Sequence, residues 1–180
     1  MSKHASSRII EVVDYQSTWI DEFQNYAEQL KPLLKGLVIR IEHVGSTSVV
    51  GLAAKPIIDI DIIISSRVVL ERVLQKLSTA GYRHIGNDGI SGREAFAWPS
   101  EKRHHLYVCA VNAGNLHNHL IFRDYLREHS EVAATYGQLK KRLAQKYRQD
   151  AESYCEAKTE FIQKTVETAT ARYSDQTFQP

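Results

Sequence analysis

Cysteine is scarce. Cys109 and Cys155 are the only two, and neither has the short spacing of a metal or dithiol site. Zinc-ribbon and disulfide-framework classes are thereby excluded, and reduced thiols, buried or half-buried in a cytosolic protein, are expected. Long apolar runs are also missing. No stretch approaches the roughly 20 residues of a membrane span, and MSKHASSRIIEVVDYQ has no apolar signal core. A cytoplasmic protein without a membrane partner is the expectation. Charge of one sign is lacking too: 23 Lys and Arg face 21 Asp and Glu, for a net charge of +2. An extended nucleic-acid-binding face is therefore not indicated. There is no internal repeat, linker or low-complexity run. What is present, 180 residues with 43% apolar and 24% charged, suits a single domain with a full core.

The hydrophobic pattern alternates between helix and strand periods. Trp19, Phe23, Tyr26, Leu30 and Leu33 make one stripe, predicting a helix over about 19–35 with Thr18 as a cap, distorted by Pro32 and ended by Gly36. Strands are predicted over Val38–Val44 and Pro56–Ile64, a helix over 67–79, and further strands over Tyr82–Ile85, Ala95–Trp98 and His104–Val111. From Asn115 onward the pattern is helical. The expected class is α/β (α+β). A mixed sheet has helices on one face, with a core over about 8–112 and an added helical segment over about 115–172.

The stretch HVGSTSVVGLAAKPIIDIDIII, residues 43–64, concentrates the chemistry. Strand alternation sends Asp59 and Asp61 to one face and Ile58, Ile60, Ile62 and Ile64 to the other. Two adjacent carboxylates on an apolar strand repel and resist desolvation, so they call for a cation. Oxygen donors at this spacing suit Mg²⁺, which takes one or two carboxylates and leaves its other positions to water and phosphate. Upstream, Gly45 permits close backbone approach. Ser46, Thr47 and Ser48 offer hydroxyls and N–H groups where a short helix begins, an anion-binding arrangement. Lys55 is placed to meet a phosphate.

Gly45-Ser46, twelve residues, then Asp59-Ile60-Asp61 resembles the signature of the DNA polymerase β-type nucleotidyltransferase superfamily. More closely, EHVGSTSV, GLAAKPIIDIDI, FRDYL and the spacing Tyr136-x-x-Leu139-Lys140 resemble the GrpB family of nucleotidyltransferase-like proteins, over about Val12 to Ala171. The resemblance implies that Gly45 and Ser46, with Thr47, hold a nucleoside triphosphate, while Asp59 and Asp61 hold Mg²⁺ or Mn²⁺. The expected activity is metal-dependent transfer of a nucleoside monophosphate to an acceptor that the sequence does not identify. The alternative is a non-catalytic nucleotide- or metal-binding protein on the same fold. The superfamily's third carboxylate is expected on the strand Arg103–Val111, which contains no Asp or Glu. Leu106, Val108 and Ala110 form its core face, so His105, Tyr107 and Cys109 face the cleft. His105 is the candidate catalytic group and metal ligand in the acid's place, favouring softer ions such as Mn²⁺. One metal, a transition metal or lost catalysis each fit this departure.

Each candidate also has a plainer reading. Ser46 suits a helix cap, Lys55 an ion pair with an aspartate, and His105 a hydrogen-bonded structural side chain. Arg123 shares a helix face with His119 and is assigned to the cleft as a phosphate clamp, with Asp124 as a structural tie. Glu42 is a candidate substitute acid whose direction alternation leaves open. Lys140, Lys141, Arg142, Lys146 and Arg148 suit a solvated helix face. Tyr136, Tyr147 and Tyr154 suit the core better than base stacking.

Overall fold

A computed structural model describes residues 9–98 and 104–174. The elements follow the order α1 (Thr18–Leu33), β1 (Arg40–Val44), a 3₁₀ turn (Ser46–Ser48), β2 (Ile58–Ile64), a second 3₁₀ turn (Arg67–Val69), α2 (Leu70–Thr79), β3 (Arg83–Gly86), β4 (Arg93–Ala97), β5 (His104–Ala110), α3 (Gly114–Glu128), α4 (Ser130–Lys146), α5 (Ala151–Glu156) and α6 (Thr159–Ser174). The strands form a mixed sheet in the order β1-β2-β5-β4-β3, with β2 and β5 parallel and the other pairs antiparallel.

Alternation on the two central strands decides the layers. Ile58, Ile60, Ile62 and Ile64 pack with Leu106, Val108 and Ala110 against Trp19, Leu30 and Leu34 from the α1 region and Val73 and Leu77 of α2. Burying each such aliphatic side chain stabilises the fold by about 1.5–3 kcal/mol. The opposite face carries Asp59 and Asp61 beside His105 and Tyr107, in register across β2 and β5. Here the C-terminal helices cover the sheet: Leu116 of α3 packs on Ile63 and Cys109, and Ala169 of α6 closes over Ile121 and Tyr125.

Local departures from the sequence reading have local causes. Thr18 lies inside α1, and Ser17 precedes the helix without a side-chain capping bond. β2 begins at Ile58 rather than Pro56 because the Ile57 N–H turns back onto the Lys55 carbonyl at 2.8 Å. The expected helix over 67–79 opens as the 3₁₀ turn, whose Val68 N–H is held by the Ser66 hydroxyl. β4 starts at Arg93, two residues earlier than expected, because Arg93 and Glu94 pair with Cys109 and Val108. Arg103, the expected start of the last strand, lies outside the described residues. Cys109 is buried as expected, whereas Cys155 is exposed. No helix among the described residues is long and apolar enough to cross a membrane.

Candidate functional site

The Gly45 turn and β2 meet at contact distance. Gly45 has φ 68°, a conformation that a side-chain-bearing residue rarely adopts. A Cβ built there would lie 2.2 Å from Asp59 Oδ2. Glycine is therefore required twice over, by backbone angle and by the carboxylate against it. The turn's side chains are mostly committed elsewhere. Ser48 donates to the Gly45 carbonyl at 2.7 Å. The Thr47 hydroxyl lies 3.0 Å from His43 Nε2 and points toward the Ile57 carbonyl. Thr47 thus lines the cavity described below, but its hydroxyl is not free for a phosphate as expected; Ser46, partly exposed on the same cavity, keeps its hydroxyl. Burial holds His43 neutral, lowering its pKa to about 4 despite the charge of Asp59.

Both aspartates are met by imidazoles. His105 Nδ1 donates to Asp59 Oδ1 at 2.8 Å, and His119 Nδ1 to Asp61 Oδ2 at 2.9 Å. His105 therefore occupies the place beside the pair that strand parity predicts. Burial works against protonation of His119, but the hydrogen bond and charge of Asp61, together with Asp59, outweigh it and raise its pKa. Asp61 is completely buried, and its Oδ1 has no hydrogen-bond partner. Asp59 remains 28% exposed.

Glu42 on β1 lies directly opposite Asp61 on β2, a register that puts both side chains on one face. Its oxygens are engaged by Arg123 at 2.7 Å and Arg40 at 3.3 Å. Arg123 is the principal correction to the sequence reading. Its guanidinium binds Glu42, both oxygens of Asp124 and the His43 carbonyl. These bonds use four of its five N–H groups, so it ties α3 to β1 and does not line the Asp59 cavity. Arg127 extends the tie with two bonds to the Ser48 carbonyl.

A cavity of about 210 Å³ opens beside Asp59 and His105, lined by Ser46, Thr47, Lys55, Lys140 and Lys158, with Tyr136, Tyr154 and Cys155. The second correction lies here. Lys140, assigned to a solvated face, is only 3% exposed, and its Nζ has no hydrogen-bond partner. Burial, reinforced by Lys158, lowers its pKa to about 7, while Asp59 opposes the shift. Burial also lowers the pKa of Lys158, with Lys55 adding to the effect. Among the described residues, no carboxylate forms an ion pair with any of these three lysines, so the plainer reading of Lys55 as an aspartate's partner does not hold. Their contacts are with aromatic faces: Lys140 over Tyr136 at 4.5 Å, and Lys158 and Lys55 over Tyr154 at 4.3 and 5.5 Å. Sequence held an unused signal. Lys140 follows the core residue Tyr136 by four positions within α4, a same-face spacing, whereas Lys158 lies between α5 and α6.

Among the described residues, no group of three or more His, Cys, Asp and Glu stands in metal-holding geometry. The aspartates nevertheless fit a divalent cation in chemistry: Asp61 Oδ1 is a buried carboxylate oxygen without a partner, and Asp59 Oδ2 rests in the cradle left by Gly45.

The family model described as GrpB protein matches residues 9–168. UPF0157 protein YqkA of Bacillus subtilis (strain 168) is 36% identical over 163 residues, which are 90% of this chain and 48% of that protein. The chain therefore spans about half of that relative. Glutamate-rich protein GrpB of Alkalihalophilus pseudofirmus is 34% identical, over 84% of this chain and 90% of its own length. Among solved structures, conserved protein GrpB from Enterococcus faecalis superposes with a TM-score of 0.82 at 38% identity, covering 91% of this chain and 99% of that one. The Cid1 poly(U) polymerase in its MgGTP-bound form superposes with a TM-score of 0.53 at 16% identity, over 74% of this chain and 44% of Cid1. That likeness is one of fold, and the sheet is nucleotidyltransferase-like.

Proposed function

We infer that this chain, which belongs to the GrpB family, is a nucleotidyltransferase-like protein that binds a nucleoside triphosphate and transfers its nucleoside monophosphate to an acceptor hydroxyl, whose oxygen displaces pyrophosphate from the α-phosphorus. One observation carries this reading. Three lysines that have no carboxylate partner among the described residues line a cavity shared with Ser46 of the turn and Asp59. Buried ammonium groups left unpaired are costly, and an anion relieves that cost.

The residues divide the work by chemistry. Lys55, Lys140 and Lys158 neutralise phosphate charge, and the free Ser46 hydroxyl donates a hydrogen bond. Asp59 and Asp61 would hold Mg²⁺ or Mn²⁺ through Asp59 Oδ2 and Asp61 Oδ1. Such an ion, when bound, supplies charge stabilisation for phosphoryl-type transfer. His105 lies at the cavity edge, 45% exposed and hydrogen-bonded to Asp59. With Nδ1 committed to Asp59, its Nε2 is the atom that would accept the proton of an acceptor hydroxyl as a general base. The tie through Arg123 and Arg127 fixes β1 and the turn relative to α3.

Incubation with α-phosphate-labelled nucleoside triphosphates, Mn²⁺ or Mg²⁺ and fractionated cell extract tests this reading. The expected result is a labelled acceptor that disappears with Asp59→Asn/Asp61→Asn. A labelled product that persists in that variant, or no product in any fraction, counts against transfer.

A second reading, non-catalytic nucleotide or metal binding, is favoured by the aspartate surroundings. Both carboxylates already accept imidazole hydrogen bonds, and Glu42 is engaged by two arginines. Nucleotide-dependent thermal stabilisation without turnover is its signature.

A further inference from the structure

We propose that the Lys55–Lys140–Lys158 cavity is a polyphosphate site that grips the terminal phosphates of its ligand and leaves the base unread. The inference rests on the triphosphate reading above and specifies its substrate class: any ligand ending in two or more linked phosphates, whatever nucleoside it carries.

Size is the first argument. The cavity holds about 210 Å³, below the roughly 300–1,000 Å³ of sites that enclose a whole drug-sized ligand. It accommodates one end of a nucleotide. Charge decides which end. Among the described residues, three lysines share the cavity with a single carboxylate, Asp59, and Lys140 is 3% exposed with an Nζ that has no hydrogen-bond partner and rests over the Tyr136 ring. A monophosphate balances this charge only in part, whereas two or three linked phosphates match it.

The aromatic walls supply the third argument. Base recognition by stacking needs an open ring face. Tyr136 is stacked on Phe161 with ring centres 4.9 Å apart, meets the edge of Phe122 at 5.4 Å and carries Lys140 over its ring. Tyr154 carries both Lys55 and Lys158. The rings hold the lysines in place and present no free platform to a base. Asp59 and His105 are also engaged with each other at the cavity edge.

Isothermal titration of the full chain, in buffer free of phosphate and sulfate, tests the proposal. The probes are inorganic tripolyphosphate, ATP, GTP, CTP, UTP and UMP, each with EDTA and again with Mg²⁺. The four triphosphates and tripolyphosphate are expected to bind within about threefold of one another, with UMP roughly tenfold weaker or worse. Lys140→Met and, separately, Lys158→Met should weaken every polyphosphate roughly tenfold, the loss of one charge-assisted contact; circular dichroism confirms folding, and the half-buried Lys55→Met provides a third variant. A preference of more than tenfold for one base, absence of tripolyphosphate binding, or undiminished binding by the folded lysine variants overturns the proposal. The two readings fail separately. Base-selective binding with label transfer sinks this inference alone, whereas base-blind polyphosphate binding without transfer sinks the transferase reading alone.

Discussion

Replacing Lys140 by methionine should stabilise the protein while weakening its grip on anions. The amine is held at about 7 against an ordinary 10.5. At about 1.4 kcal/mol per pH unit, its burial as an ammonium costs folding on the order of 5 kcal/mol. That figure is net of the contact with the Tyr136 ring at 4.5 Å, and repacking a different side chain in the space takes back about 2 kcal/mol. A methionine of similar length fills the space without charge, for a net gain of about 3 kcal/mol. Below pH 7 the amine is charged in both folded and unfolded chains, so the full cost applies. Between pH 7 and 10.5 the unfolded chain keeps a proton that the folded chain has released, and wild-type stability rises with pH. Above 10.5 the amine is neutral in both states and the cost is gone. Thermal melts in buffer free of phosphate and sulfate should place Lys140→Met roughly 5–10 °C above wild type at pH 6, with the gap closing toward pH 10.5. A variant that melts at or below wild type at pH 6 would refute the reasoning, because the ammonium would then be satisfied inside the fold.

Gly45→Ala should lose about 2 kcal/mol or more in urea denaturation, since its Cβ would collide with Asp59 Oδ2 at a backbone angle alanine resists; an unchanged midpoint would contradict the close approach. Arg123→Leu should cost about 3 kcal/mol by leaving Glu42 to Arg40 alone and the His43 carbonyl without its Arg123 donor, and denaturant titration measures it. His43 and His104, both buried with pKa lowered to about 4, resist a proton that the unfolded chain accepts near 6.5. Stability should therefore fall as pH drops from 6.5 to 4, by on the order of 3 kcal/mol for each histidine. His43→Gln should make that acid limb shallower in a pH series of melts.

Alternation along a strand is a local property of the pleat, so the sequence by itself determined which face of β2 holds Asp59 and Asp61 and which isoleucines pack the core. The same parity put His105 beside Asp59, because Leu106, Val108 and Ala110 admit only one orientation of β5. Gly45 was legible as a position of close backbone approach, but the neighbour it approaches, the Asp59 carboxylate, was not. Glu42 was not: its face became known only when β1 paired with β2 and brought it opposite Asp61. Tertiary structure alone decided the fate of three long side chains. Arg123 could turn to a cleft or to an acid, and the distant Glu42 claimed it. His119 found Asp61 across 58 residues of chain. Lys140 sits in a helix whose charge pattern reads as solvated, but α4 approaches Leu52 and Ala53 closely at Gly137 and turns Tyr136 and Lys140 inward. Period and parity are set by neighbouring residues, whereas the burial of a flexible cation is set by whichever distant element packs over it.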